Sequence, residues 1–557
     1  MFWNKQCKNC INCGERVVIT PDDQDFYQLM DVPEPTHCYL CRMQRRLSYR
    51  NESFLYHRKC DLTGKQIISA FSVNKPFPVY DLDAWWSENS DSLCYGRNFD
   101  FEKPFFDQFF ALRDQVPRLC LQQQRPMTNS SYCHGASRNK NCYLTFCANM
   151  CEDCYYGNWL NRCRDCVDNT NINECELMYE CVGCRECYNL RFCWDCNHCS
   201  DSYFLRNCQG CKNCFACTNQ AEKQYMVMNE QLTKEQYERF LKDAKLTKYS
   251  KLSQYKEKME DFLQKTYVKY FSGTKLENSM GNYLKNCKNA YMSFECDNCE
   301  DVRYGLCLNH VKTSADYSYW GENAERIHEC QGCGYDLFNL RFCNLCWSGC
   351  SNLTYCDHCF ACKECFGCVG LKKQEYCILN KKYSKEEYFD LKNKIIAHMK
   401  RTGEWGEFFP VNRSVHAYNE TPAYEQMPLS KEEVLKKGWQ WQDEEEKKNK
   451  YMGPKVEIPD DIHDVDASIS EKIFLCESSE KPYKIIPQEL KFYQRMGIPI
   501  PRKSPNERHN DRFKKRNRRR FYDQKCQNCG INIMTTYEPK RQEIIYCEKC
   551  YLEKVYG

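Results

Sequence analysis

The chain is 557 residues long with 46 cysteines and a formal net charge of +4, so at ~100–200 residues per domain it holds several units rather than one core. A mean hydropathy of −0.79 without any run of ~18 apolar residues excludes a transmembrane helix, and the start MFWNKQCKNC has no apolar leader core. A soluble cytoplasmic protein without membrane attachment is predicted, in which patterned cysteines bind metal or pack as small side chains rather than form disulfides.

Residues 1–52 predict a zinc ribbon. Cys10, Cys13, Cys38 and Cys41 form two CxxC turns, which supply the four thiolates of a tetrahedral Zn²⁺ at ~2.3 Å, and Gly14 suits the turn after the second ligand. Cys7 makes a further CxxC with Cys10 and competes as a ligand. Sliding the chain on itself by 466 positions aligns Cys10–Asn51 with Cys476–Asn517 without gaps, 13 of 42 positions being identical. The matches include Phe26-Tyr27-Gln28 with Phe492-Tyr493-Gln494, Arg42 with Arg508, Arg46 with Arg512, and Arg50-Asn51 with Arg516-Asn517. Cys13, Cys38 and Cys41 fall on Ser479, Ser504 and Glu507, so residues 472–525 predict a degenerate ribbon. The same offset sets Cys60, Thr63, Asp81 and Ala84 on Cys526, Cys529, Cys547 and Cys550. Residues 53–91 therefore predict a second degenerate ribbon, stabilised by apolar burial around Trp85–Trp86, and residues 526–557 a second zinc ribbon. About two Zn²⁺ per chain are expected.

After a connector at 92–132, residues 133–228 hold 18 cysteines. From Cys142 to Cys217 all but Cys147 fall in one frame modulo three, with small or apolar residues in the same frame. Neither a helix nor a flat strand has that period, and units of about 12–15 residues predict coils of a narrow β-solenoid that bury their inward face by stacking. Residues 229–280 predict a helical cap and connector, 281–380 a second Cys-lined solenoid, and 381–400 a capping helix. NLRFC recurs at 189–193 and 339–343, and YECVGC at 179–184 resembles HECQGC at 328–333. Thr233-x-x-Gln236 and Ser384-x-x-Glu387 read as capping boxes. Residues 401–471 read as a charged, proline-rich, poorly packed strap. The fold class is mainly β: two helix-capped solenoids flanked by tandem ribbon modules.

Three roles stay open for the inward thiols: packing as small hydrophobes, metal or Fe–S ligation by a subset such as Cys208, Cys211, Cys214 and Cys217, or stacked disulfides. His198 and His358, each beside a CxxC cysteine, are either added ligands or surface residues. Arg42, Arg45, Arg46 and Arg50 share one helical face, and RHNDRFKKRNRRR at 508–520 has eight Lys or Arg in thirteen residues. Such guanidinium rows, here with Arg508, Arg512, Arg516, Arg518, Arg519 and Arg520, suit a phosphate backbone, or else are solvated or paired with the acidic strap.

The run CxxCG…FY…PxPxxCxxCRxxRR followed by RNE resembles a small bacterial zinc-binding ribbon domain. The whole order, with CDLTGKQIIS at 60–69, the tryptophan pair, the arrays and CQNCG…TTYEP…YCEKC at 526–550, resembles a family of uncharacterised cysteine-rich bacterial zinc-ribbon proteins. Some members carry a CaiB/BaiF CoA-transferase label, which finds no catalytic constellation in this sequence. P-loop, nucleotide-binding glycine, HExxH and nucleophile-elbow patterns are all missing from the sequence. The expected function is a zinc-binding, non-enzymatic scaffold or adaptor contacting RNA, a ribonucleoprotein or a protein partner. A metal- or Fe–S-dependent redox enzyme or sensor using the solenoid thiols is the alternative.

Overall fold

The computed structural model describes residues 8–322, 324, 328, 329, 331, 332, 334, 349–443, 453, 454 and 456–556. The chain is mainly strands in several parallel sheets, with twelve α-helices among the described residues, and no helix is long and apolar enough to cross a membrane. It divides into two compact units, Met1–Leu121 with Phe271–Gln442, and Gln122–Tyr270 with Asp443–Gly557. Each unit thus combines one cysteine array with one of the two terminal regions related by the 466-residue offset.

In the second unit Glu152, Arg164, Glu176, Tyr188, Ser200, Lys212 and Gln224 lie opposite one another in successive parallel strands. Another parallel ladder joins Phe146, Asn158 and Thr170 and continues through single bridges to Val182, Trp194, Arg206 and Thr218. Within each ladder the chain returns at the twelve-residue separation that also spaces side-chain pairs such as Asn161–Asn173. Every third residue is left-handed, for example Asp153 (φ 52°), Tyr156 (φ 54°), Trp159 (φ 61°), Arg162 (φ 51°) and Asp165 (φ 54°). These corners cause the period of three: each short side supplies one corner, one inward residue and one ladder residue. A non-glycine corner costs roughly 1 kcal/mol or more. It is offset because the corner N–H reaches a carbonyl one turn back, as from Tyr156 to Tyr143 (3.1 Å) and from Asp168 to Tyr155 (3.0 Å). Asparagine and aspartate, which tolerate this conformation best, recur at corners.

All in-frame cysteines from Cys151 to Cys217 are buried, none more than 3% exposed, whereas out-of-frame Cys147 occupies a half-buried corner with φ 51°. No disulfide joins two of the described cysteines. They also carry a hydrogen-bonding load that simple packing does not explain. Inward backbone N–H groups donate to the side chain one turn earlier: Cys199 to Cys187 Sγ (3.4 Å), Leu205 to Cys193 Sγ (3.2 Å), Cys214 to Ser202 Oγ (3.0 Å) and Cys181 to Asn169 Oδ1 (2.8 Å). The thiols in turn lie within donating reach of carbonyls two residues before and nine after, as Cys187 does to Arg185 (3.1 Å) and Cys196 (3.5 Å). Cysteine is small enough for this interior and is a weak donor and acceptor, and the serines and asparagines in the same frame satisfy the same N–H groups. Cys187→Ala leaves the Cys199 N–H without its acceptor and is expected to cost about 1–3 kcal/mol. Cys187→Ser, which keeps an acceptor, is expected to cost less; equal losses in urea denaturation would show that sulfur only fills space.

The arrays begin earlier than the cysteine frame indicates. Gln123–Gln124 already pairs with Ala136–Ser137, and Gly273–Glu277 with Leu284–Lys288, and the residues that open them, 123–132 and 273–286, contain no cysteine to reveal the frame. In the first unit the ladder runs through Glu300–Arg303 and Lys312–Ala315, and through Ser351–Thr354, Lys363–Phe366 and Glu375–Ile378. Cys7, the second NLRFC at 339–343 and both cysteines of HECQGC lie outside the described residues.

Both capping boxes form, Thr233 with Gln236 before helix Lys234–Ala244 and Ser384 with Glu387 before helix Lys385–Thr402. A short antiparallel strand closes each last parallel strand, at Glu230–Gln231 and Lys381–Lys382. The helices cover sides of the stacks as well as their ends. Phe215 meets Phe240 (5.0 Å) and Tyr255 of helix Tyr249–Gln264 (5.5 Å). The strap is not poorly packed: Trp405, Phe408 and Phe409 are buried in the first unit, and Ile462, Val465 and Ile469 in the second. Its apolar residues, spaced widely among charges, are what the compositional reading overlooks.

Candidate metal centres

All four matched segments share one turn. Cys10, Cys60, Cys476 and Cys526 accept at their carbonyls from the N–H of Gly14, Gly64, Glu480 and Gly530, each at 2.9 Å. The four turn residues have φ of 76°, 72°, 55° and 76°. No atom lies within 4 Å of a side chain built on Gly14 or Gly530, so backbone conformation rather than crowding favours glycine there.

The ends of the four turns differ as the sequence predicts. Cys10, Cys13, Cys38 and Cys41 form one set, and Cys526, Cys529, Cys547 and Cys550 another, with all sulfurs of a set within 4.8 Å of one another. Each set can hold a metal ion, and these are the only two such groups among the described residues. Cys13 and Cys38 sulfurs are 3.7 Å apart and Cys529 and Cys547 3.8 Å. Asn12 and Asn528 donate to Cys41 and Cys550 Sγ, each at 3.3 Å, stabilising charge on the sulfur. Burial pushes the Cys526 thiol up, but the N–H groups of Cys529, Cys547 and Asn528 outweigh it and hold it at about 6. Hydrogen bonding from Cys41 outweighs burial at Cys38 and holds it at about 5, while the same contact pushes the Cys41 thiol up, so the two sulfurs share one proton. Thiolate is the form that ligates metal.

In the two matched segments without four cysteines, hydrogen bonds join the residues at the ligand positions. Thr63 donates to Asp81 (3.0 Å), and Asp81 caps helix Leu82–Trp86 by accepting from the Ala84 N–H (2.9 Å). Trp85 is buried against Phe360 at 5.0 Å, the apolar support anticipated there, whereas Trp86 is exposed. In the other copy the Ser504 N–H donates to Cys476 Sγ (3.2 Å), and Ser504 Oγ caps helix Pro505–Lys515 at Glu507. Cys208, Cys211, Cys214 and Cys217 are buried on successive sides of one array, with their thiols directed to the Arg206, Gln209, Lys212 and Phe215 carbonyls. They do not converge as a metal set, because three-residue spacing points each from a different side. His198 is exposed beside Glu186, and buried His358 is committed to Asp357 and Arg118.

The basic rows require a correction. Arg42, Arg45, Arg46 and Arg50 are buried, as are Arg508, Arg512 and Arg519. In the first unit Asp316 bridges Arg42 and Arg46, each at 2.9 Å. Arg46 also donates to Ser318 (2.9 Å), Arg42 lies over Tyr304 (4.8 Å), and the Tyr304 hydroxyl donates to Asp23 (3.0 Å). The second unit repeats this set. Asp168 bridges Arg508 (3.0 Å) and Arg512 (2.9 Å), Arg512 donates to Thr170 (3.3 Å), Arg508 lies over Tyr156 (5.0 Å), and Tyr156 donates to Glu489 (3.0 Å). The retained arginines therefore fasten each basic helix to the array of its own unit. Arg45 pairs with Glu329 and Glu407, and Arg50 with Glu52. Arg516 is half-buried, and Arg518 and Arg520 are exposed. Asp168, Asp316, Asp23 and Glu489 were not identified as site residues from sequence. The signal is present in the parallel order Tyr156, Asp168, Thr170 and Tyr304, Asp316, Ser318, which keeps identical spacing.

No protein-family model matches the chain, and neither a curated protein nor a solved structure matches it.

Proposed function

We propose that the chain is a zinc-stabilised, non-enzymatic scaffold or adaptor, in which two narrow β-solenoids carry ribbon modules and an exposed basic segment engages RNA or a ribonucleoprotein. The observation that carries the scaffold reading is the use of reactive groups as structure. Inward thiols are directed to carbonyls, and the groups of described residues that could hold a metal lie in the terminal segments rather than in the arrays. Two four-cysteine sets suit Zn²⁺, which is tetrahedral and redox-inert, and the ribbon resemblance agrees with that choice.

The partner reading rests on fewer residues than the sequence indicates: Arg518 and Arg520, with exposed Lys514 nearby. Replacing Arg518 and Arg520 by alanine is expected to weaken RNA binding and to lower its salt dependence by about one unit of slope per lost phosphate contact. Filter binding across a salt series measures both. A wild-type chain that retains no RNA at low salt would shift the proposal to a protein partner.

A further inference from the structure

Three of the described cysteines are exposed, Cys13, Cys94 and Cys529. Two of them, Cys13 and Cys529, hold the same place in the two four-cysteine sets, and the other three cysteines of each set are no more than 8% exposed. The approach to the exposed sulfur is open as well. The next residue is Gly14 or Gly530, where a side chain would meet nothing within 4 Å. The in-frame thiols from Cys151 to Cys217 have the opposite setting, buried and directed to carbonyls.

Each exposed sulfur has a buried neighbour across the set. Cys13 Sγ lies 3.7 Å from Cys38 Sγ, and Cys529 Sγ 3.8 Å from Cys547 Sγ, at separations of 25 and 18 residues in the chain. Cys38 and Cys547 stand immediately before helices Tyr39–Leu47 and Glu548–Tyr556, whose first turns carry the last sulfurs, Cys41 and Cys550. Both helices are held to the array of their own unit, the first through Arg42 and Arg46 to Asp316, the second through the Tyr551 hydroxyl to Asn219 (3.0 Å). A bond between the exposed sulfur and its neighbour would therefore tie a docked helix to its turn, as the metal does. It requires the sulfurs to close to about 2 Å.

We propose that each set is a peroxide-sensitive site: Cys13 or Cys529 is oxidised first and joins Cys38 or Cys547 in a disulfide, which releases the metal while the helix stays tethered. The inference rests on Zn²⁺ occupying both sets. The exposed thiolate attacks one oxygen of hydrogen peroxide; an S–O bond forms, the O–O bond and the sulfur's bond to zinc break, and the departing hydroxide takes a proton to become water. The neighbouring thiolate then attacks the sulfenic sulfur; an S–S bond forms, the S–O bond breaks, and the second hydroxide leaves as water. Two sulfurs lose two electrons and one peroxide gains them. The two thiolates that remain no longer make a tetrahedral site, so the ion is released with its charge unchanged.

Hydrogen peroxide at two equivalents per zinc-loaded full chain tests this, with released metal read by a zinc-binding dye and disulfides mapped by peptide mass spectrometry after alkylation. The expected result is loss of both ions with Cys13–Cys38 and Cys529–Cys547 links, reversed by dithiothreitol and added zinc. Limited proteolysis separates the disulfide from simple metal loss: the oxidised chain is expected to resist cutting within residues 8–52, where the chelated chain is cut. Cys529→His keeps a zinc ligand without the exposed thiolate and is expected to slow release from that centre by about tenfold or more. Cys550→His leaves the exposed thiolate in place and is expected to release at the wild-type rate. Should either variant fail to hold zinc, the linkage map of the wild-type chain decides the case. Zinc retained under peroxide overturns this inference alone, and a chain purified without zinc overturns the zinc reading together with it. Links of Cys10 to Cys13 or Cys526 to Cys529 in place of the expected ones, or equal protection by both histidine variants, also overturn it.

Discussion

Purified full-length chain is expected to carry about two zinc ions, and chelation is expected to be the most destabilising single treatment it can receive, since a structural Zn²⁺ supplies on the order of 10 kcal/mol to a small module. Metal analysis by mass spectrometry should give one ion fewer for Cys41→Ser and one fewer for Cys550→Ser, because each removes a sulfur from a different set. Chelation should act first on the ribbons. Helix Tyr39–Leu47 starts directly after Cys38 and carries Cys41, Arg42, Arg45 and Arg46, so metal loss at its start also loosens the ion pairs to Asp316 and Glu329. Limited proteolysis of the chelated chain is therefore expected to cut within residues 8–52 before the arrays. The reciprocal experiment is more demanding. Introducing Ser479→Cys, Ser504→Cys and Glu507→Cys beside Cys476 should add a third ion if this turn retains ribbon geometry. A chain that stays at two ions would show that the serine cap at Ser504 has replaced that geometry altogether.

How far the sequence reveals this structure depends on how many physical arrangements share a pattern. Paired CxxC turns at ribbon spacing have few alternatives, so both metal sets are legible. The inward frame is legible for a related reason: a corner every three residues permits no drift, and the thiols of Cys151 through Cys217 all follow it. The cause of the cysteine choice is hidden, because the need for an acceptor at the Cys199 or Leu205 N–H arises only when turns are stacked. The arginine rows are ambiguous in principle. A row at helical spacing has the same pattern whether it meets phosphate or a buried carboxylate, and Asp168 and Asp316 occupy left-handed corners, where aspartate is common without any further role. Retention of Arg508 and Arg512 after three ligand positions were lost does indicate a contact, and that contact is internal.

Asp168→Ala is expected to destabilise the second unit by about 3–5 kcal/mol, the usual cost of removing one partner from a buried ion pair. The carboxylate is fully buried and touches two guanidinium groups that are themselves 2–3% exposed, so its loss takes the shared counter-charge from both and leaves Arg508 only Glu489 (3.1 Å). Exchanging the whole group, Asp168→Leu with Arg508→Met, Arg512→Leu and Glu489→Gln, should cost less than the single change, because Glu489, which pairs with Arg508 at 3.1 Å, is then neutralised with it and no charge is stranded. Glu152→Ala, which breaks the exposed pair with Lys140, should change stability by less than about 1 kcal/mol. Urea denaturation followed by near-ultraviolet dichroism separates these outcomes, and equal effects from Asp168→Ala and Glu152→Ala would remove the lock from the account of how ribbon and array hold together. The first unit adds a pH signature. Burial pushes the Asp316 carboxyl up, but Arg42 and Arg46 outweigh it and hold it at about 2 against an ordinary 3.8. A carboxyl depressed in the folded state stabilises above its unfolded value, here by about 2 kcal/mol, and that contribution disappears as the pH falls through about 2. The stability gap between the wild-type chain and Asp316→Asn is therefore expected to narrow steadily as the pH falls below about 4.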